Sequence, residues 1–349
     1  MRFDLNDEQR AIKDAIRDLC RPLYEKTSAS MGTPARSEAF WQKLAASGWT
    51  HLCVPAEAGG QGAGLVELSL AVEELGYVLA PASYLGQAAA ALVLSGAPSD
   101  LDRRRLSDIA AGRSRAGFGE VLAGGARVAI DADGADLLVL LGDRDALVYD
   151  PLPEGSERAE GVDITRNYAH ITSDGGEPLE GSFELARDRI EVLIAAELVG
   201  VAQHAMDLAV EHAKQREQFG RPIGAYEAVS HRCADMLVAV ESARSAVLSA
   251  AWTADHEPEG LPFAASVAKV TAADAAWQVA ASALQVHGGI GFTWEHPIHL
   301  FLRRAAASSR LLGSVAQHLE RIASLSGLAS PDAAPDPRHA AEPELQLAR

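Results

Sequence analysis

Two arginines stand close together in the stretch QREQFGRPI, residues 215–223. Arg216 and Arg221 could bind an anion, because a guanidinium forms paired, charge-assisted hydrogen bonds to carboxylate or phosphate oxygens. The stretch also fits an ordinary helix end. Cations favour the negative end of the helix dipole, Gly220 suits the left-handed C′ position, and Pro222 stops the helix. Taken alone, the stretch favours the helix end and leaves anion binding open.

A second stretch, QVHGGIGFTWEHP, residues 285–297, is rich in glycine directly after an apolar helical segment. Gly288, Gly289 and Gly291 allow the backbone to lie close to a ligand or another chain. A long helix that ends in a flexible corner explains these glycines as well. Neither this stretch nor GGQGAG, residues 59–64, is the G-x-G-x-x-G that follows a strand in dinucleotide-binding folds. We interpret GGQGAG as a loop.

The histidines near the second stretch lack the spacing of a metal site. His287, His296 and His299 have no H-E-x-x-H arrangement, so we predict no metal and expect scattered surface or interface histidines. Phe292 and Trp294 are expected to be interface or core aromatics.

Charge and cysteine content exclude some classes of function. The 349 residues carry 31 Lys+Arg against 48 Asp+Glu, a net charge of −17. General nucleic-acid binding needs a basic surface, so this balance argues against a nucleic-acid partner. The three cysteines form no CxxC pair and are expected to be reduced thiols. The start, MRFDLNDEQR, lacks the apolar segment of a signal peptide, and charges interrupt the apolar stretches. We therefore expect a cytoplasmic protein with no membrane partner.

Four regions of the chain differ in pattern. Residues 1–114 predict an α-helical domain, residues 115–186 a small β domain, residues 187–325 a helical bundle, and residues 326–349 a disordered tail. In the first region, Asn6 suits a helix N-cap, and Gly76 with Pro81 is expected to stop another helix. In the third region, apolar residues three and four apart predict three long packed helices. These positions are Ile194, Leu198, Val201, Ala205 and Leu208; Val229, Cys233, Met236, Val240, Ala243, Val247 and Ala250; and Val267, Val270, Trp277 and Leu284.

Together the two stretches, R-x-Q-F-G-x-P-I and Q-x-x-G-G-x-G, resemble the C-terminal pattern of the acyl-CoA dehydrogenase family. FDLNDEQ, EELGYVLAP and YEAVSHRCADM are similar to other parts of that family, so the resemblance covers nearly residues 1–325. It implies an α+β, mainly α fold, with an N-terminal helical domain, a small β domain and a C-terminal four-helix bundle. It also implies FAD, an acyl-CoA substrate, and dimers or tetramers. In the family, FAD takes a hydride from the acyl β-carbon while a glutamate removes the α-proton.

The resemblance gives roles to six residues. Arg216 would pair with the FAD pyrophosphate, and Gln218 and Phe219 would line the same cofactor. Backbone and amide groups of Gln285, Gly288 and Gly289 would reach its adenosine-diphosphate half. In the family, both stretches contact a FAD that the neighbouring subunit mainly holds.

The catalytic base departs from the family pattern. The α-proton of a thioester is only weakly acidic, so a positioned carboxylate must remove it. The family's usual glutamate position is occupied by Gly313, within RLLGSVAQ. Some members place the glutamate instead at the start of the first bundle helix, where this chain has Ile190. Glu191 is one residue away, about 100° around a helix, and is therefore only a weak candidate. Both Glu191 and Glu197 are expected on a solvated or interface face.

The β domain also departs from the family pattern. The segment L-T-E-P-x-A-G-S and the strand W-I-T or W-I-S, which hold the flavin ring within the subunit, are missing. Only GFGEVLAGG, residues 117–125, is similar to the first of them. Because groups for a neighbour's flavin remain and groups for its own are lost, we predict the non-catalytic half of an α2β2 enzyme with a homologous catalytic subunit. Such enzymes resemble those that dehydrogenate CoA esters of steroid side chains.

Two alternatives remain open. One is a self-sufficient homotetrameric acyl-CoA dehydrogenase with Glu191 as a displaced base. The other is a flavin-free structural or binding protein on the same fold.

Overall fold

The computed structural model describes residues 4–24, 34–52, 54–80, 84–122, 124–132, 134–153 and 156–328. Pro81 and most of the predicted tail lie outside these residues. Six helices come first: α1 (Asp7–Tyr24), α2 (Pro34–Ala46), α3 (Trp49–Leu52), α4 (Leu65–Tyr77), α5 (Tyr84–Ser95) and α6 (Asp100–Ala110). The sequence pattern alone predicts α1, α4 and a helix in the region of α2 and α3. It does not predict α5 or α6.

The start of α1 follows the sequence prediction. The backbone N–H of Gln9 donates to Asn6 Oδ1 at 2.8 Å, and the N–H of Asn6 donates to Gln9 Oε1 at 3.1 Å. This reciprocal capping satisfies two of the backbone donors that a helix leaves free at its N-terminus.

The prediction that Gly76 stops a helix is wrong, because Gly76 lies within α4. A Cβ at Gly76 would lie 2.3 Å from the carbonyl oxygen of Glu197, and one at Gly200 would lie 1.9 Å from that of Glu73. The two glycines therefore let the backbones of two helices cross at close range.

A seven-stranded sheet follows, built from β1 (Ala116–Val121), β2 (Arg127–Ile130), β3 (Leu137–Leu141), β4 (Ala146–Tyr149), β5 (Ser156–Ala159), β6 (Tyr168–Ile171) and β7 (Glu177–Pro178). Its strand order is β5-β6-β2-β1-β3-β4-β7. β1 pairs with β3 in parallel, and the other pairs are antiparallel. Every residue of β3 is buried, as expected for an unbroken apolar run covered on both faces.

The C-terminal region contains α7 (Glu184–Gln215), the short strands β8 (Glu217–Gln218) and β9 (Arg221–Pro222), and the helices α8 (Glu227–His256), α9 (Leu261–His287), α10 (Ile298–Ser308) and α11 (Val315–Leu325). The helix α7 is central and contacts α4, α8, α9 and α10. It is long and apolar enough to cross a membrane, but 78% of its most apolar window is buried within the protein, as in the core helix of a folded domain. The α+β, mainly α fold class is confirmed.

The predicted apolar stripes of α7 and α8 are buried or half-buried. In the predicted stripe of α9, Leu284 is buried and Val267 and Val270 are partly buried, but Trp277 is half exposed, so the prediction is wrong for Trp277. The fully buried row of α9 is instead Ala265, Ala268, Ala272, Ala276, Ala280 and Ala283. Alanines allow α9 to lie close to its neighbours, and this leaves larger apolar side chains on the outside.

Candidate cofactor-binding surface and catalytic position

The chain turns sharply after α7, at the R-x-Q-F-G motif. The helix ends at Gln215, and the strands β8 and β9 form a hairpin with Phe219 and Gly220 at its tip. Both tip residues have positive φ, 52° and 81°, as in the two-residue turns that suit hairpins. The left-handed conformation expected for Gly220 is therefore present, but at a hairpin tip and not at a helix C′ position. Pro222 lies in β9, so it does not act by stopping the helix.

The hairpin presents its side chains to the outside. Phe219 is 93% exposed, and its ring approaches only the edge of Tyr226, at 6.4 Å between centroids. A phenylalanine with positive φ costs on the order of 1–3 kcal/mol, and the protein gains little internal packing in return. An exposed aromatic in a strained conformation indicates a surface that contacts another molecule.

The two arginines of the hairpin differ in their surroundings. The guanidinium of Arg221 lies 4.0 Å from the ring centroid of Tyr226, and the hydroxyl of Tyr226 donates to the backbone oxygen of Gln218 at 3.1 Å. Arg216 is exposed, and among the described residues its guanidinium has no hydrogen bond or ion pair. Arg216 is therefore the arginine that remains available for an anion.

The second motif begins where α9 ends. Gly288 has φ 63°, which favours glycine, whereas Gly289 has an ordinary φ. Apart from its chain neighbours, a Cβ at either glycine would meet no atom of the described residues within 4 Å, so nothing in that part of the protein requires Gly289 to be a glycine. The adjacent Gln285 is exposed. This open backbone fits a ligand that approaches closely from outside.

The structure brings the two motifs together at one end of the bundle. His212, in the last turn of α7, stacks on His287, the last residue of α9, with ring centroids 4.5 Å apart. His287 in turn lies 4.2 Å from the ring of His296. The expectation that the histidines are scattered is therefore wrong for His287 and His296, because their rings lie together at the corner where both motifs end. Within the described residues, no group of three His, Cys, Asp or Glu side chains has the geometry of a metal site.

Gly313 lies in the turn between α10 and α11. Its φ is 109°, which L side chains rarely adopt, and a Cβ there would lie 3.2 Å from Nε2 of His318. The buried Nζ of Lys269 donates to the carbonyl oxygens of Ser309 at 2.8 Å and of Gly313 at 3.3 Å. Burial lowers the pKa of Lys269 to about 8, although Glu191 and Glu120 oppose that shift. The turn is thus formed around a residue without a side chain.

The expectation that Glu191 is solvated is wrong, because it is 2% exposed. Its Oε2 accepts a hydrogen bond from Nη1 of Arg321 at 3.1 Å and lies 4.0 Å from Nδ1 of His318. Burial raises the pKa of Glu191 to about 7, although the positive charge of Arg321 opposes this shift. Such a pKa suits a general base, but the hydrogen bond holds the carboxylate between α7 and α11.

Glu197 is also buried, contrary to expectation. Burial opposes its charge, but Arg166 and Arg304 outweigh that effect and lower the pKa of Glu197 to about 2. Nη2 of Arg166 lies 2.5 Å from Glu197 Oε1, and Nη1 of Arg304 lies 3.1 Å from the same oxygen. Glu197 is therefore a permanent anion at the junction of the sheet and the bundle.

Arg304 extends this buried network into the segment between β5 and β6. Its Nε donates to Asp163 Oδ2 at 2.5 Å, and its Nη2 donates to Thr165 Oγ1 at 2.6 Å. A cavity of only about 10 Å³, lined partly by Tyr84, Arg166 and Glu197, lies beside the network. The seam between sheet and bundle is thus filled at this point by paired charges.

Sequence reasoning missed Lys269, Arg166 and Arg304. A signal existed for the first: Lys269 is a single charge within the apolar run AASVAKVTAA, residues 264–273. A lone charge in such a run is buried only when it is paired or hydrogen-bonded. The partners of all three residues are distant in sequence, so their pairing could not be deduced from pattern.

Comparison with known proteins agrees with this geometry. The chain matches the description "Acyl-CoA dehydrogenase, N-terminal domain" over residues 6–113 and "Acyl-CoA dehydrogenase, C-terminal domain" over residues 182–325. This chain belongs to the acyl-CoA dehydrogenase family. Acyl-CoA dehydrogenase IpdE2 of Mycobacterium tuberculosis is 35% identical over 288 residues, which are 82% of this chain and 86% of that protein.

Two solved structures are similar along most of their length. The Tcur3481-Tcur3483 steroid ACAD is 26% identical with a TM-score of 0.76, and the match covers 93% of this chain and 99% of that chain. The ChsE4-ChsE5 complex from Mycobacterium tuberculosis is 21% identical with a TM-score of 0.77, over 95% of this chain and 100% of that chain. The second likeness is one of fold alone.

Proposed function

We propose that this acyl-CoA dehydrogenase family member is the non-catalytic subunit of a heteromeric enzyme and completes a FAD site on a homologous partner. One contrast carries the proposal. The side chains of the cofactor motif, Arg216, Gln218, Phe219 and Gln285, are all exposed, while Gly313 occupies the usual base position with a backbone formed for glycine. A surface motif suits a ligand held by another chain.

The residues present fit the diphosphate part of FAD. Arg216 would donate charge-assisted hydrogen bonds to the pyrophosphate, which the free guanidinium can do without breaking an existing ion pair. The open backbone at Gly288 and Gly289 would allow the adenosine half to lie against the turn, with the amide of Gln285 beside it. When bound, FAD supplies the hydride acceptor. The glutamate that removes the α-proton would come from the partner.

One solved relative supports both a heteromer and a substrate class. The structure that is 26% identical to this chain is called a steroid ACAD and carries two chain names, Tcur3481 and Tcur3483. We therefore propose a CoA ester of a steroid side chain as the substrate of the assembled enzyme. We also propose that the enzyme is located in the cytoplasm. Val238 on α8 and Phe263 and Trp277 on α9 are large apolar side chains exposed to solvent, which subunit contacts would cover.

Co-expression with a homologue that carries the family glutamate tests the proposal. We expect the chain purified alone to be colourless and inactive, and the co-purified complex to contain FAD and to dehydrogenate a steroid acyl-CoA. The measurements are the flavin absorbance per protomer and the rate of acyl-CoA oxidation. Stoichiometric FAD and activity in the chain alone would refute the proposal. A complex that stays colourless with every candidate partner would favour a flavin-free structural protein.

A self-sufficient enzyme is a second candidate, favoured by the raised pKa of Glu191. In that case Glu191→Gln would abolish acyl-CoA oxidation by the chain alone and leave flavin absorbance intact. Arg321→Gln is the matched control, because it breaks the same ion pair but keeps the carboxylate. Under the heteromer proposal, we expect neither substitution to change the activity of the complex by more than about threefold, since the ion pair is remote from the partner's base. Loss of activity in Glu191→Gln alone would establish the second candidate.

A further inference from the structure

Three imidazole rings form a stack where the two cofactor motifs meet. His212 stacks on His287 at 4.5 Å with 27° between the ring planes, and His287 lies 4.2 Å from His296 at 46°. His212 comes from α7, His287 from α9 and His296 from the segment before α10. We refer to these residues as the histidine stack.

Hydrogen bonds fix two of these rings in particular protonation states. The Nδ1 of His287 lies 2.7 Å from the carbonyl oxygen of Ala283, which can only accept, so this nitrogen carries a proton. The backbone N–H of Ile298 donates to Nδ1 of His296 at 3.2 Å, so this nitrogen must be unprotonated. The geometry around His296 therefore requires a neutral imidazole.

The stack lies directly beside both motifs in the chain. Arg216 follows His212 by one turn, and its N–H donates to the carbonyl oxygen of His212 at 2.8 Å. Gln285 precedes His287 by two residues, and Gly288 follows it. The contact between the rings of His212 and His287 therefore sets the spacing between the hairpin and the glycine turn.

The surroundings of the stack disfavour positive charge. Burial, followed by the neighbouring His287 and His212, lowers the pKa of His296 to about 4. Burial and His212 lower the pKa of His287, and burial and Arg216 lower that of His212.

The remaining groups that face the stack act in the same direction. Arg216 approaches from the end of α7 and His299 from the first turn of α10, and both are cations when charged. Burial and then Arg303, on α10, lower the pKa of His299 in turn. A second positive charge on an adjacent ring would thus add electrostatic repulsion, and none of these neighbouring groups offsets it.

We propose that His212, His287 and His296 are positioning residues whose neutral stack holds the Arg216 hairpin and the Gly288 turn at the spacing FAD requires. Charging the stack separates the rings, so the assembled enzyme loses FAD on acidification. The cofactor part of this inference rests on the proposed function.

The sign follows from proton linkage. Each folded pKa lies below the ordinary value of 6.5, so the ordered corner binds fewer protons than an opened one. Its stabilisation is complete above pH 6.5 and is lost as the pH falls from about 6.5 towards the folded pKa of about 4 for His296. We therefore expect FAD affinity to fall between pH 7.5 and pH 5.5, on the order of tenfold, because pH 5.5 lies about one unit below the ordinary pKa and above the folded pKa of His296.

The test uses His212→Phe and the double variant His212→Phe with His296→Phe. Phenylalanine keeps a ring in the stack and cannot be protonated, and among the described residues the His212 side chain makes no hydrogen bond that would be lost. His296→Phe also removes the acceptor of the Ile298 N–H, at either pH. We therefore compare each variant with itself, and expect the FAD affinity of the double variant in the complex to change less than about threefold between the two pH values. His256→Phe is the matched control, because His256 also stacks on an aromatic ring, Trp252, but lies at the end of α8. It should keep the wild-type pH response.

A second measurement on the chain alone separates this inference from the proposed function. Hydrogen exchange of the amides in residues 288–296, corrected for the intrinsic effect of pH, should show lost protection at pH 5.5 in the wild type, a smaller loss in the single variant and none in the double variant. Equal protection at both pH values, or an unchanged response in the variants, would overturn the positioning role. A response in the chain alone, with no FAD in any complex, would support the positioning role and refute the proposed function.

Discussion

Replacing Arg304 with methionine lowers the free energy of unfolding by about 3–5 kcal/mol, because it leaves the buried carboxylate of Asp163 without its cation. Arg304 is 1% exposed and contacts both Asp163 and Glu197, which belong to different layers of the molecule. Methionine fills most of the volume but donates no hydrogen bond. Glu197 keeps Arg166, whereas Asp163 loses its arginine and keeps only its hydrogen bonds to the N–H and hydroxyl of Thr165.

Chemical denaturation measures this effect, and Arg303→Ala supplies the matched control. Arg303 lies next to Arg304 in the same helix, but its contacts are exposed: its Nη1 donates to the carbonyl oxygen of Val162, and its guanidinium lies 5.4 Å from the ring centroid of Trp294. We expect the control to lose less than about 1 kcal/mol, as is usual for an exposed charge. Equal losses in the two variants would show that the buried network does not hold the sheet to the bundle.

Local patterns of sequence were enough for much of the fold. The Asn6 cap and the stripes of α7 and α8 are properties of residues three or four apart, and a helix fixes which of those lie on one face. The family resemblance added the order of the domains. Each of these inferences depends on neighbours along the chain, which is why a single sequence supports it.

The prediction for α9 failed at Trp277 because periodicity reveals a face but not its direction. Trp277 and the two valines lie on one side of the helix, yet the core uses the opposite row of alanines. Alanine contributes little hydrophobic contrast, and close helix packing favours small side chains at the contact. A subunit interface can then retain the larger apolar residues outside.

The predictions for the charged residues of the candidate site were wrong for a different reason. From the sequence, Glu191 and Glu197 are expected on a solvated or interface face, and carboxylates are in general mostly exposed. Their partners are Arg321, more than a hundred residues away, and the pair Arg166 and Arg304. Only the three-dimensional structure shows such pairs, since no local pattern encodes them.

Replacing Arg216 with alanine in the co-expressed complex is expected to weaken FAD binding by about 10- to 100-fold. A hydrogen bond to a charged group contributes about 1.5–3 kcal/mol, and each 1.4 kcal/mol corresponds to a factor of ten in affinity. Because the Arg216 guanidinium has no partner within the described part of this chain, its removal breaks no internal ion pair. The stability of the free chain should therefore be unchanged, which makes the binding loss interpretable. Fluorescence titration of the apo-complex with FAD measures it.

Arg221→Ala is the control that decides what kind of effect Arg216 has. Both arginines lie on the same hairpin, and both variants remove one positive charge. They differ because the guanidinium of Arg221 packs on the ring of Tyr226 and so stabilises the hairpin itself. We expect Arg221→Ala to change FAD affinity less than about threefold at physiological salt, where screening weakens general attraction between separated charges. Arg216→Lys should bind with intermediate affinity, because an ammonium keeps the charge but loses the paired geometry. Equal losses from the two alanine variants would mean that the hairpin attracts FAD only through its net charge. No loss from Arg216→Ala would remove this residue from the cofactor site, and with it the main support for a flavin shared between subunits.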